Sequence, residues 1–133
     1  ARPRARLERS LAIAPDNAGA HNNLGNVCSM LGDRAAALRH YRRATELNPR
    51  EAHPHFLIGS LLAQDASLEQ AAASFRRAVA LQPRHADALA QLGLVLGRLG
   101  RRDEAVRALE EALRQRPGDA QINAWLTAAR GAP

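Results

Sequence analysis

Pro49, Pro83 and Pro117 stand 34 residues apart, and the segments that lead into them repeat one another. Tyr41, Phe75 and Leu109 share one column of that period, and Ala44, Ala78 and Ala112 share a second. Ala37, Ala71 and Ala105 form a third column. Gly25, Gly59 and Gly93 form a fourth, each preceded by an aliphatic residue, Leu24, Ile58 or Leu92. One more step back from Pro49 lands on Pro15. Self-similarity at such a period restricts the chain to one supersecondary unit, stacked. A single unit cannot bury its own apolar face, so neighbours must supply the core.

Within a unit the apolar spacing is helical. Leu24, Val27, Cys28 and Leu31 fall at i, i+3, i+4 and i+7 and predict one buried stripe. Leu38, Tyr41 and Thr45 continue the pattern on a second helix. Gly32-Asp33, the stretch from Asp65 to Ser67, and the stretch from Gly100 to Asp103 break the two helices apart. Ser67 with Gln70 three residues on reads as a capping box. Each proline then ends the second helix. The expected map is a lone helix over about 4–14, with Leu7, Leu11 and Ile13 apolar. Helix pairs follow over 18–31 with 34–47, 52–65 with 68–81 and 86–99 with 102–115, and a last helix over 120–130. Short connections make neighbouring helices antiparallel.

Aromatic residues make up 3% of the chain, so the core must come from Ala, Leu, Val and Ile, which suits close-packed helices better than a strand-rich sandwich. The net charge is +6, and all 19 basic residues are Arg. That composition, with abundant Ala, points to a GC-rich bacterial source. A basic surface attracts anions, nucleic acid included. These arginines are spread over every segment with no aromatic residues interleaved to stack bases, so a solvated surface is favoured over nucleic-acid binding. Cys28 is the sole cysteine and, on its apolar stripe, reads as a small core residue. No apolar stretch reaches the length of a membrane span, and no signal-peptide core follows the first residues. The expected location is the cytoplasm, with the periplasm left open.

These columns resemble the tetratricopeptide repeat: a large residue, Leu-Gly, Ala, an aromatic residue, Ala and Pro across 34 positions. Leu24-Gly25, Ala37, Tyr41, Ala44 and Pro49 carry the likeness first, and their equivalents carry it twice more. His21 and His55 depart from it at the early large position, where Leu89 conforms. The resemblance implies an all-α, right-handed superhelix of antiparallel helix pairs, about eight helices in all. It divides the chain into 1–17, the second helix of a truncated repeat, three repeats over 18–51, 52–85 and 86–119, and a half repeat or capping helix over 120–133. On this reading Gly25, Gly59 and Gly93 face Ala37, Ala71 and Ala105 across each pair. The chain is expected to be a piece of a longer array, with Leu7 and Leu11 leaving an uncapped face open to self-association.

In this family the first helix of each pair lines a concave groove that binds an extended peptide. Carried onto this chain, the groove residues are Asn22, Asn23, Asn26, His53, Phe56, Leu57, Ser60, Gln64, Gln91, Leu94, Arg98 and Trp125. The three asparagines are poor mid-helix residues that offer both donors and acceptors, as a reader of peptide backbone requires. A merely solvated helix face is the alternative. The carboxylate-binding pattern of chaperone cofactors is matched only at Asn26, and Asp87 would repel a carboxylate. The asparagine ladder of O-GlcNAc transferases is matched at Asn23 but broken at Leu57 and Gln91.

Trp125, spaced with Ile122, Leu126 and Ala129, reads as a cap on the third repeat before a ligand platform. His53 and His55 lie two apart on a helix and diverge, unlike a zinc-binding i, i+4 pair. His21 and His55, one repeat apart, are close in expectation but lack a third ligand. Glu46 and Arg50 make a favourable i, i+4 pair, and runs such as Glu110-Glu111 and Arg76-Arg77 read as solvated outer faces. With no metal set, phosphate loop or catalytic constellation, the reading is a non-enzymatic, cofactor-free scaffold for a protein or peptide partner. The alternatives are the substrate-recruiting part of a larger glycosyltransferase and, less favoured, Arg-mediated nucleic-acid binding.

Overall fold

The computed structural model describes residues 17–131. The helix expected over 4–14, and the self-association proposed for it, lie outside the described residues. Within them the chain forms seven helices and no strand: α1 (Ala18–Met30), α2 (Arg34–Leu47), α3 (Ala52–Gln64), α4 (Leu68–Leu81), α5 (Ala86–Arg98), α6 (Arg102–Gln115) and α7 (Ala120–Ala129). Every end falls within a residue of the expectation from spacing. The result is an all-α solenoid: α1 packs most extensively on α2, α3 on α4 and α5 on α6, and each pair then packs on the next. The first helices also meet one another, α3 with α5 and α5 with α7.

Local chemistry accounts for the ends. Asn17, Asp33 and Asp119 cap α1, α2 and α7, their side-chain oxygens accepting from Ala20, Ala36 and Ile122 N–H at 2.9, 3.1 and 3.0 Å. Ser67 does stand at the N-cap of α4, but its side chain makes no capping hydrogen bond, so the capping box expected with Gln70 is not formed. The first helix of each pair stops in a left-handed residue: Gly32 at φ +80°, Ala66 at φ +60° and Gly100 at φ +79°. The next N–H closes back five residues in each turn: Asp33 to Cys28 O and Ser67 to Leu62 O at 2.9 Å, and Arg101 to Leu96 O at 2.9 Å. Pro54 is tolerated in the first turn of α3, where no helical partner exists for an N–H.

The core is built from the repeating columns. Leu24, Cys28, Ala37, Ala71, Phe75, Ala78, Ala105 and Ala112 are fully buried, and Tyr41 and Leu109 nearly so. Ala78 joins Ala52 and Ala88 in a small cluster that bridges successive pairs. The nearest atoms to each glycine of the column belong to the large residue of the facing helix. A Cβ on Gly25 would come 2.6 Å from the Tyr41 ring, and one on Gly59 would come 2.7 Å from the Phe75 ring. On Gly93 it would come 2.5 Å from Leu109 Cγ and 3.2 Å from the Ala105 carbonyl. Each glycine therefore lies under the large residue four positions beyond the alanine, which fills the gap between helices. Leu31 also departs from expectation and is 63% exposed, because α1 ends at Met30 and the turn carries the chain off its stripe.

Exposed ion pairs run between successive units. Arg34 meets Asp65 at 2.9 Å, Arg76 meets Glu104 at 2.8 Å and Arg101 meets Glu69 at 2.6 Å, while Arg116 meets Asp87 at 2.7 Å within the third unit. Glu46 is bound to Arg43 at 3.4 Å and not to Arg50 as the i, i+4 spacing predicts. The three-residue step brings that pair together as readily.

Candidate functional site: a groove along the first helices

The expected groove residues sort into three groups. Ser60 and Gln64 from α3 and Gln91, Leu94 and Arg98 from α5 line one hollow of about 290 Å³, completed by Ala63. Leu94 and Arg98 pass into a second hollow of about 380 Å³, whose far wall is Trp125 with Ala128 and Ala129 of α7. Two facing helices at a repeat interval thus present amide groups beside an apolar recess. Gln64 is exposed and Gln91 half-buried. The Ser60 hydroxyl donates to Phe56 O at 3.1 Å, which leaves its oxygen lone pairs toward a ligand. Trp125 serves two ends: it packs against the Leu109, Ala112, Ile122 and Leu126 cluster as a cap, and it also walls the second hollow.

A second group is occupied with packing. Phe56 is tilted against Phe75 and His85, with ring centroids 5.8 and 5.0 Å away, and His53 stacks on it at 6.1 Å. Leu57 is half-buried against the main core. These side chains join one pair to the next. The His85 Nδ1 beside them accepts from Ala88 N–H at 3.0 Å and so caps α5. Burial chiefly pushes the pKa of His85 below the usual imidazole value, against a smaller opposing pull from Asp87. Burial likewise lowers that of His55.

The asparagines of α1 form the third group and line neither hollow. Asn26 Oδ1 accepts from Tyr41 Oη at 2.6 Å, an acceptor already committed to the core aromatic of its own repeat. Asn23 is exposed, and Asn22 is half-buried with its Oδ1 enclosed and unpartnered. His21 does not meet His55. Its Nδ1 lies 3.3 Å from Nδ1 of His40, on the helix paired with its own. Residue spacing did not point to Gly97, Ala63, Ala128 and Arg102 as lining residues. Gly97 carried the readable signal: a glycine inside a helix, where alanine is favoured, with no turn to explain it. Among the described residues no three His, Cys, Asp or Glu side chains gather to hold a metal ion, and no helix is long and apolar enough to cross a membrane.

No curated protein sequence matches the chain significantly. Solved structures do. Two crystal structures of MamA superpose with TM-scores of 0.88 and 0.90, both at 25% identity. They cover 92% and 95% of this chain and 72% and 69% of theirs. The TPR domain of Arabidopsis OM64 superposes at 0.80 with 18% identity, over 85% of this chain and 93% of its own. The first TPR of Spaghetti (RPAP3), bound to the HSP90 peptide SRMEEVD, superposes at 0.82 with 19% identity, over 85% and 90%. Tetratricopeptide repeat models match residues 18–51, and 56–120 and 90–129. With its columns, helix pairs and turns all in the same phase, the chain belongs to the tetratricopeptide repeat family.

Proposed function

We propose that the chain is a non-enzymatic interaction scaffold that holds an extended partner segment along its first helices, α1, α3, α5 and α7. Residues 18–51, 52–85 and 86–119 act as its three repeats and the segment from 120 as a closing half repeat. The observation that carries this reading is the convergence of Ser60, Gln64, Gln91, Leu94 and Arg98, from two different helices, on one hollow that continues to Trp125. Amide side chains pair with peptide N–H and C=O in any sequence, which suits a groove that reads main chain first. A protein of similar fold holds a peptide, as the RPAP3 structure shows for that protein.

The test is to pan a phage-displayed random-peptide library on the native chain and on a Gln64→Ala/Gln91→Ala chain. Enrichment on the native chain that is lost on the variant, with helical circular dichroism unchanged, is the expected result. Enrichment unaffected by the variant moves the site off these helices. The asparagines of α1 are poorer probes, because Asn26→Ala also strips the Tyr41 hydroxyl of its acceptor.

A further inference from the structure

The recess between α5, α6 and α7 has a composition that its fold does not require. Gly97 lies inside α5, and a Cβ built on it would meet nothing within 4 Å. Neither packing nor a left-handed φ calls for glycine there, unlike Gly59 under its ring or Gly100 in its turn. What the missing side chain leaves is depth: Gly97 forms part of a hollow of about 380 Å³ faced by Leu94 and Trp125. That volume is enough to receive one large apolar side chain.

The rim is cationic. Arg98 and Arg102 both border the hollow. Arg101 and Arg130 nearby are each bound to a carboxylate, whereas among the described residues neither Arg98 nor Arg102 has one. The guanidinium of Arg102 lies over Gly131, where a Cβ would come 2.7 Å from its Nη2 and displace it. Two unpaired guanidiniums beside an apolar recess suit a carboxylate joined closely to an apolar group, since arginine binds carboxylates through a planar fork.

We infer that this recess is the specificity anchor of the groove: it takes a bulky apolar side chain of a partner peptide that carries an aspartate or glutamate within two positions of it. The inference rests on the groove reading above and adds a directional end to it. Backbone is read at Gln64 and Gln91, and the anchor residue seats against Trp125 with its acidic neighbour on Arg98 and Arg102.

The experiment pans the same random-peptide library on the native chain and synthesises the enriched peptides with a fluorescent label. Their Kd is then measured on native, Gly97→Leu and Arg98→Gln/Arg102→Gln chains, with melting temperatures alongside. Peptides rich in a Leu, Met or Phe next to an acidic residue, weakened tenfold or more on both variants while melting is undiminished, are the expected result. Replacing the acidic residue with its amide should cause a comparable loss on the native chain and none on the arginine variant. Enriched peptides that lack this pairing, or that bind the Gly97→Leu chain equally well, overturn the anchor and leave the groove standing. A library with no enriched peptide overturns both.

Discussion

Ala66 alone among the described residues combines a side chain with a positive φ, +60°, where its counterparts in the other units are glycines. A left-handed backbone costs an L-residue roughly 1–2 kcal/mol, and glycine gives back part of that through its freer unfolded chain. Ala66→Gly is therefore expected to stabilise by about 0.5–1 kcal/mol, read as a rise in melting temperature. His85 offers a second test. Its neutral Nδ1 caps α5, and a proton there would remove the acceptor and place a cation at a helix N-terminus. Its pKa is lowered in the folded chain, mainly by burial, so the unfolded chain takes the proton first as pH falls below about 6.5. The stabilisation is present above that pH and is lost below it. Unfolding free energy should fall from pH 7 to pH 5, and His85→Asn, which keeps a capping acceptor but does not titrate, should flatten part of the slope. A residual slope from His55, shifted in the same direction, should remain.

At the scale of the helix, glycine means opposite things at two positions. Gly59 lies beneath the buried Phe75 ring, where a Cβ would come within 2.7 Å, and Gly97 faces open space. Gly59→Ala is expected to destabilise by about 1–3 kcal/mol, because a rigid ring held on all sides cannot withdraw. Gly97→Ala is expected to stabilise by up to about 1 kcal/mol through helix propensity alone. Thermal melts of the two variants read both signs. Helix ends were legible in the sequence because Asp33, Gly32, Gly100 and the prolines act locally. Which column packs on which was not, since a period shows that Gly25, Gly59 and Gly93 are equivalent without showing what lies above them. The same limit hid the commitment of Asn26 to Tyr41, which depends on the crossing of two helices.

Over the whole molecule, stability is a sum of units and interfaces, and the interfaces are lined with small side chains. The exposed ion pairs between units, such as Arg76 with Glu104 and Arg101 with Glu69, add little each in solvent. They do occupy arginines that a nucleic-acid surface would need free. Period and columns were enough to place Ala78 between neighbours, and the structure buries it completely with Ala52 and Ala88. The most direct test of the stacked-repeat account is the melting temperature of Ala78→Leu beside Ala80→Leu, the same change two residues on at an exposed site of the same helix. Overpacking predicts that Ala78→Leu loses on the order of 1–3 kcal/mol, several degrees of melting temperature, while Ala80→Leu is nearly neutral. Equal melting temperatures for the two variants would contradict it.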